Sequence, residues 1–373
     1  MTAIFGNGNY CRDGIQHRKN SWQDSVLGTN FPIPQGRITL ITSSRTMIPI
    51  PYDPLADDYT LMIGYWFNKG HTNLKKILDI NRNLGRADDD HINRKMAKGD
   101  GKGHNMKLVE MEGSHTVQND YELLDVHVEQ CYTILVTTDK EPRDYYVVAL
   151  FRFTKRESTT MGIIRYLNGK GGPSYEIPKP PVGWAWSLNQ FCTFQWNLTA
   201  SAARPNPQGS YKYGGINITR TITLANTAEK VDGKLRYAIN GVSFVEPTTP
   251  LKLAEHYRVA DKVFKYNIFQ MSHHVEIGKW SPEKWMNYNL LDAVRRHTIQ
   301  VFAHSRADVL ISLDKCGMYN IRSKTWDKQY VGKQLYISLH SPNRSVRDEY
   351  NLPEDVMTCG VVEGMSRPPP FSS

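Results

Sequence analysis

The stretch KLVEMEGSHTVQNDYELLDVHVEQCYTILVTT, residues 107–138, contains runs that are typical of β-strands, separated by turn residues. The run DYYVVALFRFT at 144–154 repeats the pattern, and it resumes between residues 193 and 247. Many Val, Ile, Thr and Tyr residues beside 27 glycines and 20 prolines favour strands with frequent turns. The sequence therefore predicts an all-β protein made of β-sandwiches.

Helical patterns are few and short. They occur in HTNLKKIL at 71–78 and in TPLKLAEHY at 249–257, where Pro250 precedes the apolar positions. A Gly/Pro-rich stretch at 169–186 is typical of a linker between domains. At about 150 residues per domain, the 373 residues predict two domains, or three small ones.

The chain contains no run near the ~20 apolar residues that span a bilayer, so no transmembrane segment is predicted. The N-terminal stretch MTAIFGNGNYCRDGIQHRKN lacks the hydrophobic region of a secretion signal. Taken literally, these two features predict a protein that stays in the cytosol.

The formal net charge is +9, which favours an anionic partner such as nucleic acid, lipid or an acidic wall polysaccharide. The one dense basic stretch, residues 95–107, is broken by glycines and lacks the aromatic residues on which bases stack. It is predicted to be a solvated loop, and a nucleic-acid partner is not expected.

Several enzyme classes are excluded by missing motifs. No GxSxG nucleophile elbow is present, and no glycine-rich loop continues as a phosphate-binding site does. Five cysteines without a CxxC pair exclude a zinc ribbon and leave at least one thiol outside any disulfide. Three sequons, at Asn197, Asn217 and Asn343, would accept glycans if the chain were secreted.

A β-sandwich of the cupredoxin type binds copper through one Cys, two His and a weak axial Met. Twelve histidines are present, but His-x-His, which places two imidazoles on one face of a strand, occurs nowhere. His273 and His274 are adjacent, so a strand would point them to opposite faces.

A family resemblance rests on segments that share one order along the chain. They are residues 19–36 (KNSWQDSVLGTNFPIPQG), 108–139, 196–226, 236–257, 287–301, 315–323 (KCGMYNIRS) and 334–360. In these segments the chain resembles the plant ascorbate-oxidase-like proteins. These are multicopper-oxidase homologues that are also called monocopper-oxidase-like or pollen-specific, and they reside in or near the cell wall.

The resemblance implies three consecutive cupredoxin-like Greek-key sandwiches. Three such domains need about 450 residues, so the domains implied here, residues 1–36, 37–180 and 181–373, are incomplete. The resemblance implies losses after Gly36, near 103/104 and near 269–275. A shortened paralogue and a mis-joined gene model both remain open, and the second is favoured because the losses fall inside domains.

In the active oxidases a motif HCHxxxHxxxxM in the last domain carries copper ligands. The resemblance places Cys316 at the cysteine of the mononuclear site. The flanking, distal and axial positions are occupied by Lys315, Gly317, Ile321 and Trp326. Cys316 is therefore predicted to be the remnant of a copper site, a buried and metal-free thiol, and no trinuclear cluster is expected.

Two tail features complete the implied picture. Relatives have a cysteine where this chain has Phe31, and that cysteine looks like the partner of Cys359, so Cys359 is expected to remain a thiol. The charged run Arg347-Asp348-Glu349 is predicted to be a structural ion-pair site that joins the tail to the last domain.

The function that follows from the resemblance is that of a non-catalytic, secreted cell-wall glycoprotein located in the apoplast. Its predicted glycans lie on Asn197, Asn217 and Asn343, its predicted partner is an acidic wall polysaccharide, and no cofactor is expected. The alternative is a copper-binding oxidoreductase that holds one copper at Cys316 and uses O2 with a small reductant.

Overall fold

The structure is a computed structural model that describes part of the chain. The described residues are 52–53, 56–57, 59, 61–80, 82–85, 87–92, 104–112, 114–121, 124–151, 158–170, 172, 219–268, 296–301, 307–311, 316–340, 345–346, 348–349, 351–354 and 356–371. Strands predominate over helices in these ranges, as the sequence predicts. No helix in the same ranges is long and apolar enough to cross a membrane.

The N-terminal part of the described chain forms three small antiparallel sheets and one helix. β3 lies between β4 and β5, while β1 pairs with β2 and β6 with β7. The elements are β1 Ile63–Trp66, α1 His71–Asp79, β2 Asp89–Ile92, β3 Met106–Met111, β4 Ser114–Tyr121, β5 Tyr132–Val136, β6 Asp144–Phe151 and β7 Ser158–Arg165.

The C-terminal part contains two antiparallel strand pairs and two short helices. β8 and β9 form a hairpin whose turn, Asp232-Gly233, has φ of 51° and 72°, the left-handed conformation that two-residue hairpin turns require. The elements are β8 Asn226–Val231, β9 Lys234–Ile239, α2 Leu251–His256, β10 Gly317–Arg322, α3 Trp326–Tyr330 and β11 Gln334–Leu339. β10 pairs with β11 through the connection that contains α3.

The N-terminal core centres on β3. Leu108 and Met111 are fully buried and pack with Tyr121, Tyr132 and Ile134. Residues three apart on a regular strand point to opposite faces, but the register shifts between Leu108 and Glu110, which marks a β-bulge. The extra residue turns Leu108 and Met111 toward the same core.

The C-terminal core forms around α2. Leu253, Ala254 and Tyr257 are buried together with Val259 and with Val362 of the tail. The positions i, i+1 and i+4 lie on one side of a helix, which explains why the short apolar pattern after Pro250 forms this one. Burial of Val362 at this side attaches the C-terminal tail to the helix.

The structure confirms both predicted helices and most of the predicted strands it describes. It differs at residues 124–131, where the sequence predicts a strand and the structure has a loop that ends in a turn. The side-chain carbonyl oxygen of Gln130 accepts a hydrogen bond from the backbone N–H of His127 at 3.1 Å. The backbone N–H of Gln130 donates to the His127 carbonyl at 3.0 Å, and Glu129 has φ of 61°. These local bonds replace the ladder bonds of a strand.

Most of the predicted linker, 169–186, lies outside the described residues, as do the predicted first domain, 1–36, and the implied loss near 269–275. The division at 37–180 and 181–373 is left as a prediction.

Candidate functional site

Cys316 lies directly before β10. Gly317 pairs with Leu339, so Cys316 and His340 follow at the same end of the β10–β11 ladder. The prediction of a buried thiol is wrong, because Cys316 is only half-buried. Its sulfur takes part in no disulfide bond.

The residues that the resemblance places at the other copper-ligand positions are distributed along the same segment. Gly317 and Ile321 lie on β10, and Trp326 is the first residue of α3. In the part of the chain that the structure describes, no three His, Cys, Asp or Glu side chains are grouped as metal ligands would be. The assignment of Cys316 as the remnant of a copper site remains a prediction. The three sequons, Asn197, Asn217 and Asn343, lie outside the described residues, and their glycosylation also remains a prediction.

The two other cysteines that the structure describes, Cys359 and Cys131, differ in oxidation state. Cys359 is a thiol, which confirms the expectation from Phe31, and its Sγ lies 3.7 Å from the carbonyl oxygen of Thr248. Burial, and then the charge of Glu363, raises the pKa of the Cys359 thiol. Cys131 is in a disulfide bond whose other half lies outside the described residues.

A polar cluster that the sequence did not predict lies beside His340. Glu255 of α2 is buried, and its Oε1 accepts hydrogen bonds from the Tyr266 hydroxyl at 2.8 Å and from Ser338 Oγ at 2.5 Å. Nε2 of His340 is 3.6 Å from the same oxygen. Glu255, Tyr266 and His340 border an open cleft of about 280 Å³, which is also lined by Arg258, Ala260 and Asp261.

Lys252 neutralises this cluster from the other side. Its Nζ lies 3.7 Å from Glu255 Oε2 and 3.0 Å from Glu349 Oε2, and all three side chains are largely buried. The ion pair confirms the predicted ion-pairing of Glu349, which here joins the tail to α2. Because Lys252 pairs with both Glu255 and Glu349, and Ser338 donates to Glu255, the main effect of the cluster is to position α2, β11 and the tail relative to one another.

A second buried network joins distant parts of the chain at Glu112. Its carboxylate accepts hydrogen bonds from the backbone N–H groups of His297 at 2.9 Å and Thr298 at 3.0 Å, and also from the Thr298 hydroxyl. Nδ1 of His297 is 3.2 Å from the same carboxylate. The amide of Gln130 donates to Thr298 Oγ1 at 3.2 Å. No sequence signal pointed to this network, because its partners are 186 residues apart.

Comparisons with known proteins agree with the strand-rich fold. Two models of the multicopper oxidase family match residues 102–169 and 265–345. An "L-ascorbate oxidase homolog" of Brassica napus is 46% identical over 95% of this chain and 84% of the relative. The "Monocopper oxidase-like protein SKU5" of Arabidopsis thaliana is 32% identical over 97% of this chain and 82% of the relative.

The L-ascorbate oxidase of Brassica rapa subsp. pekinensis is more distant, at 28% identity over 40% of this chain and 25% of that protein. The chain belongs to the multicopper oxidase family and, within it, to the plant group of L-ascorbate oxidase homologues and monocopper oxidase-like proteins. Proteins of this family are built from cupredoxin domains, which agrees with the strand-rich fold described above. The alignment with the Brassica napus relative is 464 positions long, whereas the chain has 373 residues. At least 91 residues of the relative (464 − 373) therefore have no counterpart in this chain.

Proposed function

We propose that the protein is a non-catalytic, secreted glycoprotein of the cell wall, built on cupredoxin-like sandwiches that have lost their copper ligands. The observation that carries the proposal is the composition around Cys316. The resemblance assigns the other ligand positions of an active oxidase to Lys315, Gly317, Ile321 and Trp326. None of these four side chains supplies the imidazole or thioether that copper needs.

The pattern of similarity supports the same reading. The relatives that align with nearly the whole chain are named as an oxidase homologue and a monocopper oxidase-like protein. The L-ascorbate oxidase aligns with only 40% of the chain. Similarity to the enzyme is thus limited to part of the sequence, whereas similarity to the homologues extends throughout.

Secretion is supported by the chemistry of Cys131. A stable disulfide forms in the oxidising environment outside the cytosol, and Cys131 is disulfide-bonded. The proposed glycans on Asn197, Asn217 and Asn343 need the same pathway.

The proposed architecture is three cupredoxin-like Greek-key domains, at 1–36, 37–180 and 181–373, each of them shortened. The two family matches, 102–169 and 265–345, fall within the second and third of these ranges. The gap of at least 91 positions (464 − 373) against the Brassica napus relative supports internal shortening.

The second candidate is a copper-binding oxidoreductase. The observation in its favour is the half-buried thiol of Cys316, which lies at the same end of the sheet as His340. In this function Cys316 would hold one copper, which would pass electrons from a small reductant to O2.

Metal analysis of the purified full-length protein separates the two functions. If the protein is non-catalytic, the bound copper measured after incubation with Cu²⁺ and removal of excess metal is expected to be well below one ion per chain. No thiolate-to-copper absorption band and no O2 uptake with ascorbate are expected either. One copper per chain, with a band that the Cys316→Ser variant loses and the Cys359→Ser variant keeps, would establish the second function instead.

A further inference from the structure

One surface of the protein combines elements from distant parts of the sequence. The hydroxyl of Tyr330 on α3 donates a hydrogen bond to Asp79 Oδ1, at the end of α1, at 2.9 Å. A narrow cleft between the two helices is lined by Leu78 of α1, Asp327 of α3 and Arg82, which follows α1. We call this surface the α1–α3 face and define it by Lys75, Arg82, Trp326, Lys328, Tyr330 and Lys333.

Two large aromatic side chains are exposed on this face. Trp326 and Tyr330 are 41% and 40% exposed, and their spacing of four residues places them side by side on α3. The bond to Asp79 restrains the ring of Tyr330. Aromatic rings present an apolar surface with a negative face, on which the C–H groups of a sugar ring pack while its hydroxyls remain in water.

The positive charges of the face are incompletely neutralised. The backbone N–H of Lys333 donates to the carbonyl of Lys328 at 3.0 Å, which holds the two lysines close together. Burial, and then the charge of Lys328, lowers the pKa of Lys333. In the described ranges, neither lysine has a carboxylate within ion-pair distance.

Two cations at the start of the same connection, Arg322 at the end of β10 and Lys324, are paired with a carboxylate. Lys324 and Arg322 lie 2.9 and 3.7 Å from Glu129 Oε2. Across the cleft, exposed Lys75 lies one helical turn before Asp79, and exposed Arg82 lines the cleft itself. An anion bound between Lys328 and Lys333 would relieve their mutual repulsion, whereas an anion at Lys324 would have to displace Glu129.

We propose that the α1–α3 face binds an acidic polysaccharide, with sugar rings on Trp326 and Tyr330 and uronate carboxylates at Lys328, Lys333 and Arg82. The inference rests on the proposed wall location, and it assigns the partner of the protein to one surface. Charge alone favours any polyanion, since the chain carries +9. The exposed aromatic pair beside the lysines is what selects a carbohydrate.

The test measures binding of the full-length protein to polygalacturonate by calorimetry, with dextran and poly-L-glutamate as comparison polymers. Polygalacturonate is expected to bind, dextran not to bind, and poly-L-glutamate to bind at least about tenfold more weakly, since it has no ring that packs on this aromatic pair. Equal affinity for poly-L-glutamate would overturn the proposal in favour of a general polyanion site.

Variants locate the site. Lys328→Glu with Lys333→Glu is expected to abolish binding, and Trp326→Ala to weaken it about tenfold while Trp326→Phe retains most of it. The matched control is Lys262→Glu with Lys265→Glu, two exposed lysines after α2, which changes the net charge equally. Equal losses in both double variants, or no binding by the wild type, would overturn the proposal. Circular dichroism checks that each variant is folded.

This inference and the proposed function fail separately. A metal-free, inactive protein that does not bind polygalacturonate would remove the α1–α3 site and leave the non-catalytic role in place. A protein with stoichiometric copper and O2 uptake would remove the proposed function, whatever the polymer results.

Discussion

Glu112 and Thr298 are joined by a hydrogen bond of 3.0 Å from the Thr298 N–H to the Glu112 carboxylate, across 186 residues of sequence. Glu112 lies in the first segment that matches the multicopper oxidase family, and Thr298 lies in the second. The Glu112 side chain has no exposed surface. This hydrogen bond therefore joins the two family segments at a site that is buried from solvent.

Replacement of Glu112 by alanine is expected to lower the free energy of unfolding by about 3 kcal/mol. Two backbone N–H groups, the Thr298 hydroxyl and the His297 imidazole would lose their acceptor in a buried place. Urea denaturation measures the change. The control is Glu129→Gln, because the Glu129 side chain is 36% exposed and its ion pair with Lys324 is worth less than about 1 kcal/mol. Equal losses in the two variants would show that the Glu112 network is not a tether.

Gly332 holds the turn after α3 against β9. Its φ is +109°, and a Cβ there would lie 2.9 Å from the Tyr237 carbonyl oxygen and 3.0 Å from that of Phe244, besides meeting Ser243. Gly332→Ala is expected to cost more than about 3 kcal/mol and to lower the melting temperature strongly.

The matched control for this change is Gly233→Ala in the β8–β9 turn. Gly233 also has positive φ, but a Cβ there would meet nothing within 4 Å. Only backbone strain remains, at about 1 kcal/mol. If the two alanine variants melt at the same temperature, the close approach of the backbone at Gly332 does not contribute to stability.

Stability at high pH depends on Tyr336. Burial, and then the charge of Glu246, raises its pKa from 10.0 to about 12. The folded state therefore keeps the phenol proton where the unfolded chain releases it. The contribution of Tyr336 is fully present below pH 10 and is lost as the pH rises from 10 to about 12.

Tyr336→Phe is expected to make the fall in unfolding free energy over this pH range shallower by one proton. The ring contact with Phe244, at 5.3 Å between centroids, is kept in the variant. Denaturant unfolding at several pH values checks the slope. A slope unchanged from the wild type would show that Tyr336 titrates with an ordinary pKa.

The cysteine chemistry predicts three thiols and one disulfide per chain. Cys316 and Cys359 are thiols and Cys131 is disulfide-bonded, so only one of the remaining two cysteines can be its partner. Alkylation of the secreted, unfolded protein, followed by intact mass measurement, is expected to add three labels without reduction and five after it. Five labels in both cases would argue against an oxidising compartment.

Local patterns predicted those features that depend on local physics. The α1 and α2 helices follow from apolar residues on one side of a turn, and β3, β4, β6 and β9 follow from strand composition. The loop at 124–131 was missed because Gln130 bonds to its own neighbours, and composition does not report that choice. The exposure of Cys316 was also missed, because it depends on which strands cover the end of a sheet.

By itself, the sequence determined the family, the strand-rich class and the thiol state of Cys359. These are properties of residue identity and of short spacings. Only the tertiary structure decided that Glu112 meets Thr298, that Lys252 lies between Glu255 and Glu349, and that α1 and α3 share one surface. Such contacts depend on how distant segments pack to bury apolar surface and satisfy polar groups, and no local pattern encodes them.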